Sequence, residues 1–402
     1  MTAILKTATA LLLLITTCPA QDSSPIPSAI REHYQLSSFY QKYGQVRGFP
    51  VVASEKVEND AIQEAVYIIN SMVGESKRIE KSLVESGFHC AIMAYNEYTT
   101  DIPEHADLEP KDFWDRRARG LGPTKRRPCV SCAEENLLQL KGDPYLGENI
   151  LIHEFAHAIH EALKLQSPSF DRDLEQVYKM AIKAGLWSEK YAAVNHYEYF
   201  AECVQSYFGD NRENDASHNH VNTREELKGY DPRIYELVDK LFQGNAWQYL
   251  APSQRKGKNP HQRSSYPNKT FKWPPHLERA MAELSERKDA ASAQFVKIKA
   301  HGWTVWTDIQ LLEGLHEEKS RPALALLNTY LAETAPKRIK AIWVQWRHPE
   351  VNSLAFYPDG TDIEALGLSP KMVNALHIPN AQIFQNDPRS QIRFLKLLEQ
   401  YN

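Results

Sequence analysis

The chain carries no surplus of one charge, few cysteines and few glycines, and past its first residues no long apolar run. Lys and Arg number 47 against 51 Asp and Glu in 402 residues, a net charge of -4. That balance leaves no basic footprint for nucleic acid and no polyanionic tract. Five cysteines and seventeen glycines exclude a small disulfide scaffold and a collagen. With 42% hydrophobic and 24% charged residues, the composition is that of a soluble globular protein long enough for two or three domains.

Residues 1–20 read as a signal peptide: Lys6 precedes the apolar stretch 8–15, and Cys18, Pro19 and Ala20 place small residues before a cut near Gln21. The stretch is too short to span a bilayer, and no later one is long or apolar enough for stable membrane insertion. The expectation is a secreted or periplasmic protein. A lipid anchor on Cys18 is the rival, weakened by Thr17 where a smaller residue is usual. Removal of the peptide leaves Cys90, Cys129, Cys132 and Cys203, which permit two bridges in three connectivities or remain as buried thiols. The CxxC spacing of Cys129 and Cys132 lacks the βαβ surroundings of a redox motif.

A polar leader or linker covers 21–47, followed by a strand at 48–53, a helix over 60–73 and a buried strand at 89–94. The charged, proline-rich loop 96–127 contains Lys125, Arg126 and Arg127, a processing site or simply a solvated turn. Helical periodicity returns over 148–163, 171–186, 197–208 and 232–242. A stretch poor in aliphatic residues, 251–275, reads as a linker between a domain at 48–250 and a small α+β domain at 276–402. In the latter, 276–299 and 322–333 suit helices, and 303–306 and 339–347 alternate like strands.

The strongest feature is His153-Glu154-Phe155-Ala156-His157. Four residues apart on a helix of about 3.6 residues per turn, the two imidazoles share a face and can hold one zinc ion, while Glu154 is turned toward a water on that ion. Ile150, Leu151, Ile152, Ala158 and Ile159 mark the helix as buried, so its polar residues need a reason to be there. The HExxHxxGxxH pattern is not continued, its glycine being absent and Leu163 standing where it has its third histidine, so a third ligand comes from another element. His160 lies on the same stripe one turn further on, which suits a helix-helix hydrogen bond or a supporting role beside the ligands. Over 191–202, Glu198 and Glu202 sit four apart on a helix packed by Tyr199 and Phe200, and either can complete the set.

HEFAH followed by Y-x3-N-x2-EYFAE resembles the gluzincin metallopeptidases of the anthrax lethal factor catalytic domain and the bacterial Pro-Pro endopeptidases. The resemblance spans roughly 48–245, is specific over 149–208, and does not reach the last third. It implies an α+β, zincin-like domain, a mixed sheet with an active-site helix and then a helical subdomain. Zinc would sit on His153, His157 and Glu198, with Glu154 as general base and Tyr191 as the assisting hydroxyl. Glu202, His160 and Asn195 would support the ligands. A protein or peptide substrate would lie extended along an edge strand, which we place within 128–139. Cys203 follows Glu202 where the pattern has a small residue, for packing or a bridge. A zinc hydrolase of a non-peptide amide fits the same residues. So does a catalytically silent binding protein of the same fold, for which Trp273, Trp303, Trp306, Trp343 and Trp346 would form an aromatic surface unless they pack in the core.

Overall fold

The computed structural model describes residues 25–108, 111–255, 269–279, 295–308, 311–312, 314–345, 354–358 and 369–402. The expected signal peptide and the Cys18 anchor lie outside the described residues. No helix among the described residues is long and apolar enough to cross a membrane. The chain forms two compact units, each a mixed sheet with helices. The first holds 1–104, 119–123 and 128–271; the second holds 105–118, 124–127 and 272–402. The expected boundaries at 48–250 and 276–402 therefore shift, because the first unit starts earlier and the loop 96–127 is shared out between the two.

The first unit opens with α1 (Ser28–His33), then the hairpin β1 (Lys42–Val46) and β2 (Phe49–Ala53). Arg47 and Gly48 join the strands with positive φ values of 50° and 92°, the backbone of a two-residue turn matched to strand twist. The expected leader is thus in part a sheet strand, and Tyr40 before it is fully buried. Next come α2 (Asn59–Val73), α3 (Lys77–Ser86) and β3 (His89–Met93). After α4 (Lys111–Arg117), which belongs to the second unit, the chain returns as β4 (Cys129–Ala133) and the single turn α5 (Glu134–Leu137). The sheet order is β1-β2-β3-β4, with β2, β3 and β4 parallel and every residue in them buried, as expected of parallel strands covered on both faces. One face packs on α2 and α6 (Ile150–Gln166) through Ile62, Ile69, Ile92, Ile152 and Phe155; the other carries Tyr40, Tyr43, Ala91, Met93 and Cys129. The helical part follows as α7 (Pro168–Lys183), α8 (His196–Phe208), α9 (Arg224–Tyr230) and α10 (Pro232–Phe242).

One expectation is corrected here, and of the two readings open for the cysteines one is seen. Leu121 and Ser131 exchange both backbone hydrogen bonds, 3.3 and 2.9 Å, so the segment 119–123 runs antiparallel beside β4 and covers the strand expected to meet substrate. Its anchor is Arg119, fully buried, donating from Nε to Glu135 Oε1 at 2.5 Å, from Nη2 to Oε2 at 3.0 Å and from Nη1 to the Glu97 carbonyl at 2.5 Å. The four cysteines are free buried thiols, including Cys203, which packs in the core. Cys129 and Cys132 are an odd number of residues apart on one strand and face opposite sides of the sheet, so their CxxC spacing cannot close a bridge.

In the second unit the sheet order is β5-β6-β7-β9-β8, built from β5 (Phe295–Ala300), β6 (Trp303–Asp308), β7 (Ala341–Val344), β8 (Ala355–Tyr357) and β9 (Ala375–Ile378). The helices α11 (Gly314–Ala332), α12 (Ala381–Asn386) and α13 (Pro388–Tyr401) accompany it. Of the helix expected over 276–299, residues 280–294 lie outside the described residues and 295–299 belong to β5, where Lys297 and Lys299 point outward and alternate with more buried neighbours. Trp303 and Trp343 are fully buried, and Trp306 stacks on Trp343 with ring centres 4.9 Å apart. Trp273 lies under the Arg116 guanidinium at 4.3 Å. These tryptophans pack against their own unit rather than line a surface; Trp346 lies outside the described residues.

Candidate metal centre

Two well-capped helices build the centre. Asn149 starts α6 by accepting a hydrogen bond from Leu151 N, while its own N–H donates to Asp210 at 2.9 and 3.0 Å. Asn195 starts α8, its Oδ1 accepting from Tyr197 N at 2.8 Å and Glu198 N at 2.9 Å, and Gly209 ends that helix at a φ of 73°. Asn195 thus fixes the first turn of α8, where Glu198 stands.

Three donor atoms meet between these helices. His153 Nε2 lies 3.1 Å from Glu198 Oε2, His157 Nε2 lies 3.2 Å from His153 Nε2, and His157 Nε2 lies 3.4 Å from Glu198 Oε2. Zinc bonds of 2.0–2.1 Å at tetrahedral angles space neighbouring donors by about 3.3–3.4 Å, so the triangle has the dimensions of one face of a zinc tetrahedron. The electrostatics agree. Burial disfavours the charged form of His153, yet Glu198, Glu154 and Glu202 outweigh it and raise its pKa well above the ordinary value. Burial pushes Glu198 up, but His157 and His153 hold its carboxyl well below the usual range. A field that favours a proton on buried imidazole also favours a cation shared among these donors.

The tautomer of His153 is set from behind. Its Nδ1 lies 2.7 Å from Gln205 Oε1 and 3.5 Å from Glu202 Oε1, so Nδ1 carries the hydrogen and Nε2 keeps its lone pair for the centre. Gln205 is therefore the close partner, and Glu202, the one anticipated, stands further off. Glu202 in turn accepts from Asn211 Nδ2 at 3.0 Å and faces His218 Nε2 at 3.5 Å. His160 turns away, its Nε2 lying 2.9 Å from Asp171 Oδ1 on α7, and His196 Nε2 lies 3.0 Å from the same oxygen. Of the two roles open to His160, the helix-helix bond is the one seen.

Glu154 is half-buried on α6, one residue after His153. Tyr191 occupies a 3-10 turn, its N–H bound to the Ser217 carbonyl at 2.8 Å and its ring centre 6.2 Å from that of His153. The segment 119–123 presses on the same stretch of α6. A Cβ on Gly120 would lie 2.6 Å from Ile150 Cγ2 and 3.0 Å from Glu154 Cγ, and one on Gly122 would lie 2.6 Å from His157 Cβ. Only glycine allows the strand so close. Sequence reasoning passed over Gln205, Gly120 and Gly122; a signal existed for Gln205, which lies seven residues after Glu198 on one helical face.

No protein-family model, no curated protein and no solved structure matches the chain.

Proposed function

We propose that the first unit is a zincin-like, zinc-dependent peptidase, exported from the cell, which hydrolyses peptide bonds in a protein or peptide substrate. The observation that carries this reading is the donor triangle of His153, His157 and Glu198, with separations of 3.1, 3.2 and 3.4 Å. A zinc ion held there would make a water nucleophilic near neutral pH and offset negative charge on the scissile carbonyl oxygen. Glu154 takes the proton of the attacking water and returns it to the leaving amine. Tyr191 donates a hydrogen bond to the oxyanion as it develops. Gln205 holds His153 in the one tautomer that presents Nε2 to the centre.

The segment 119–123 supports a peptide as substrate. Leu121 turns both its backbone groups toward Ser131 of β4, so by strand geometry the N–H and C=O groups of Gly120 and Gly122 face the other way. No strand ladder continues beyond them among the described residues. An extended peptide added there lies beside Glu154 and His157.

Glu154→Gln tests the assignment. Zinc content should stay at the wild-type level while cleavage of a mixed library of quenched fluorescent peptides falls by about 10²–10⁴-fold. Substantial residual turnover with zinc in place would remove Glu154 from its role.

A further inference from the structure

A second group of side chains that could hold a metal ion lies on the face of the sheet turned away from α6. His89 opens β3 and Cys129 opens β4; the two are direct neighbours in the parallel register and share a face with Tyr40, Ala91 and Met93. Glu104 joins them from the 3-10 turn Pro103–His105. The donor atoms of His89, Glu104 and Cys129 lie within 4.8 Å of one another. His89 and Cys129 are 1% and 0% exposed, and the Glu104 side chain 14%.

Hydrogen bonding leaves this group unfinished. His89 Nε2 approaches Glu104 Oε1 to 3.2 Å, yet neither ring nitrogen of this buried imidazole has a partner in hydrogen-bonding alignment. A buried imidazole in that state needs an explanation. The Cys129 thiol lies 3.5 Å from the Val130 carbonyl and also meets the Tyr40 hydroxyl and the Ala91 backbone. Tyr40 donates its hydroxyl to Glu104 Oε2 and so holds the carboxylate in the pocket.

We propose that His89, Glu104 and Cys129 form a structural site for a zinc ion, separate from the centre on α6 and α8. The 3.2 Å between Nε2 and Oε1 is already the spacing of two ligands on one tetrahedral ion, and thiolate, imidazole and carboxylate together are a donor set for zinc. Charge balance favours it as well. On binding, Cys129 gives its proton to solvent, and a dication against one thiolate, one carboxylate and a neutral imidazole leaves no net charge in the pocket. The site joins the turn 103–105 to the first residues of β3 and β4, which are themselves paired in the sheet.

The site stands independently of the peptidase reading, and cobalt substitution separates the two. In the full chain loaded with cobalt(II), the expected result is a near-ultraviolet thiolate-to-cobalt band for one sulfur per chain. That band should survive in His157→Ala, where the first centre is broken, and vanish in Cys129→Ser. Zinc content should read about two ions per chain in the wild type and about one in either variant. Absence of the band from the wild type, or its persistence in Cys129→Ser, would overturn the proposal whatever becomes of the first centre. The wild-type spectrum decides the matter even if Cys129→Ser fails to fold.

Discussion

Gln205 offers the sharpest test of how the first centre is held. It is fully buried, accepts from His153 Nδ1 at 2.7 Å, and donates its own Nε2 to Glu148 Oε2 at 3.2 Å. Gln205→Met keeps the length and most of the volume but removes the acceptor. Glu202 Oε1, at 3.5 Å, is too far to replace it without moving a side chain that Asn211 holds at 3.0 Å. A buried donor left without a partner costs about 1–3 kcal/mol. Loss of an orienting partner behind a ligating histidine typically lowers metal affinity about 10–100-fold, equivalent to about 1.4–2.8 kcal/mol. The two magnitudes agree, so the variant should bind zinc about 10–100-fold more weakly in competition with a chromogenic chelator, with its near-ultraviolet circular dichroism preserved. Unchanged zinc affinity in a folded Gln205→Met protein would refute the view that this amide sets the His153 tautomer.

Three other outcomes are expected. Tyr191→Phe should lower kcat about 10²–10³-fold with little change in zinc content, and loss of the metal instead would place Tyr191 elsewhere. Gly122→Ala sets a methyl group 2.6 Å from His157 Cβ; chemical denaturation should show about 1–3 kcal/mol of lost stability together with weaker zinc binding, while Gly229→Ala, which meets nothing within 4 Å, should stabilise α9 by about 0.5–1 kcal/mol. Burial lowers the His160 pKa from 6.5 to about 4 against the opposing pull of Asp171, so the unfolded chain binds more protons between those values and stability rises with pH across that window. At about 1.4 kcal/mol per unit the change amounts to about 3 kcal/mol, lost as pH falls from 6.5 to 4. Denaturation midpoints across that range should therefore slope less steeply in His160→Gln, and an equal slope would refute the assignment.

The legibility of the molecule follows the range of its interactions. His153 and His157 could be read because helical spacing alone puts them on one face, and α2, α8 and α10 because their apolar period is local. Glu198 became legible through a longer motif. The strand partner at 119–123 was not, since two of its five residues are glycines and its position depends on Arg119 meeting Glu135 and Glu97 across the fold. β1 hid in a polar stretch because its identity depends on a two-residue turn and on pairing with β2. His89 and Cys129 are adjacent only because β3 and β4 run parallel in register, a fact absent from either strand by itself.

The single oxygen shared by His160 and His196 has a consequence for how the two helices are held. Asp171 Oδ1 ties α6, α7 and α8 at one point, and the ligands on α6 and α8 lie close to that tie. Neither helix can slide past the other without breaking it. The side chains of His153, His157 and Glu198 are therefore brought together by the fold itself, through a tie in which none of them takes part.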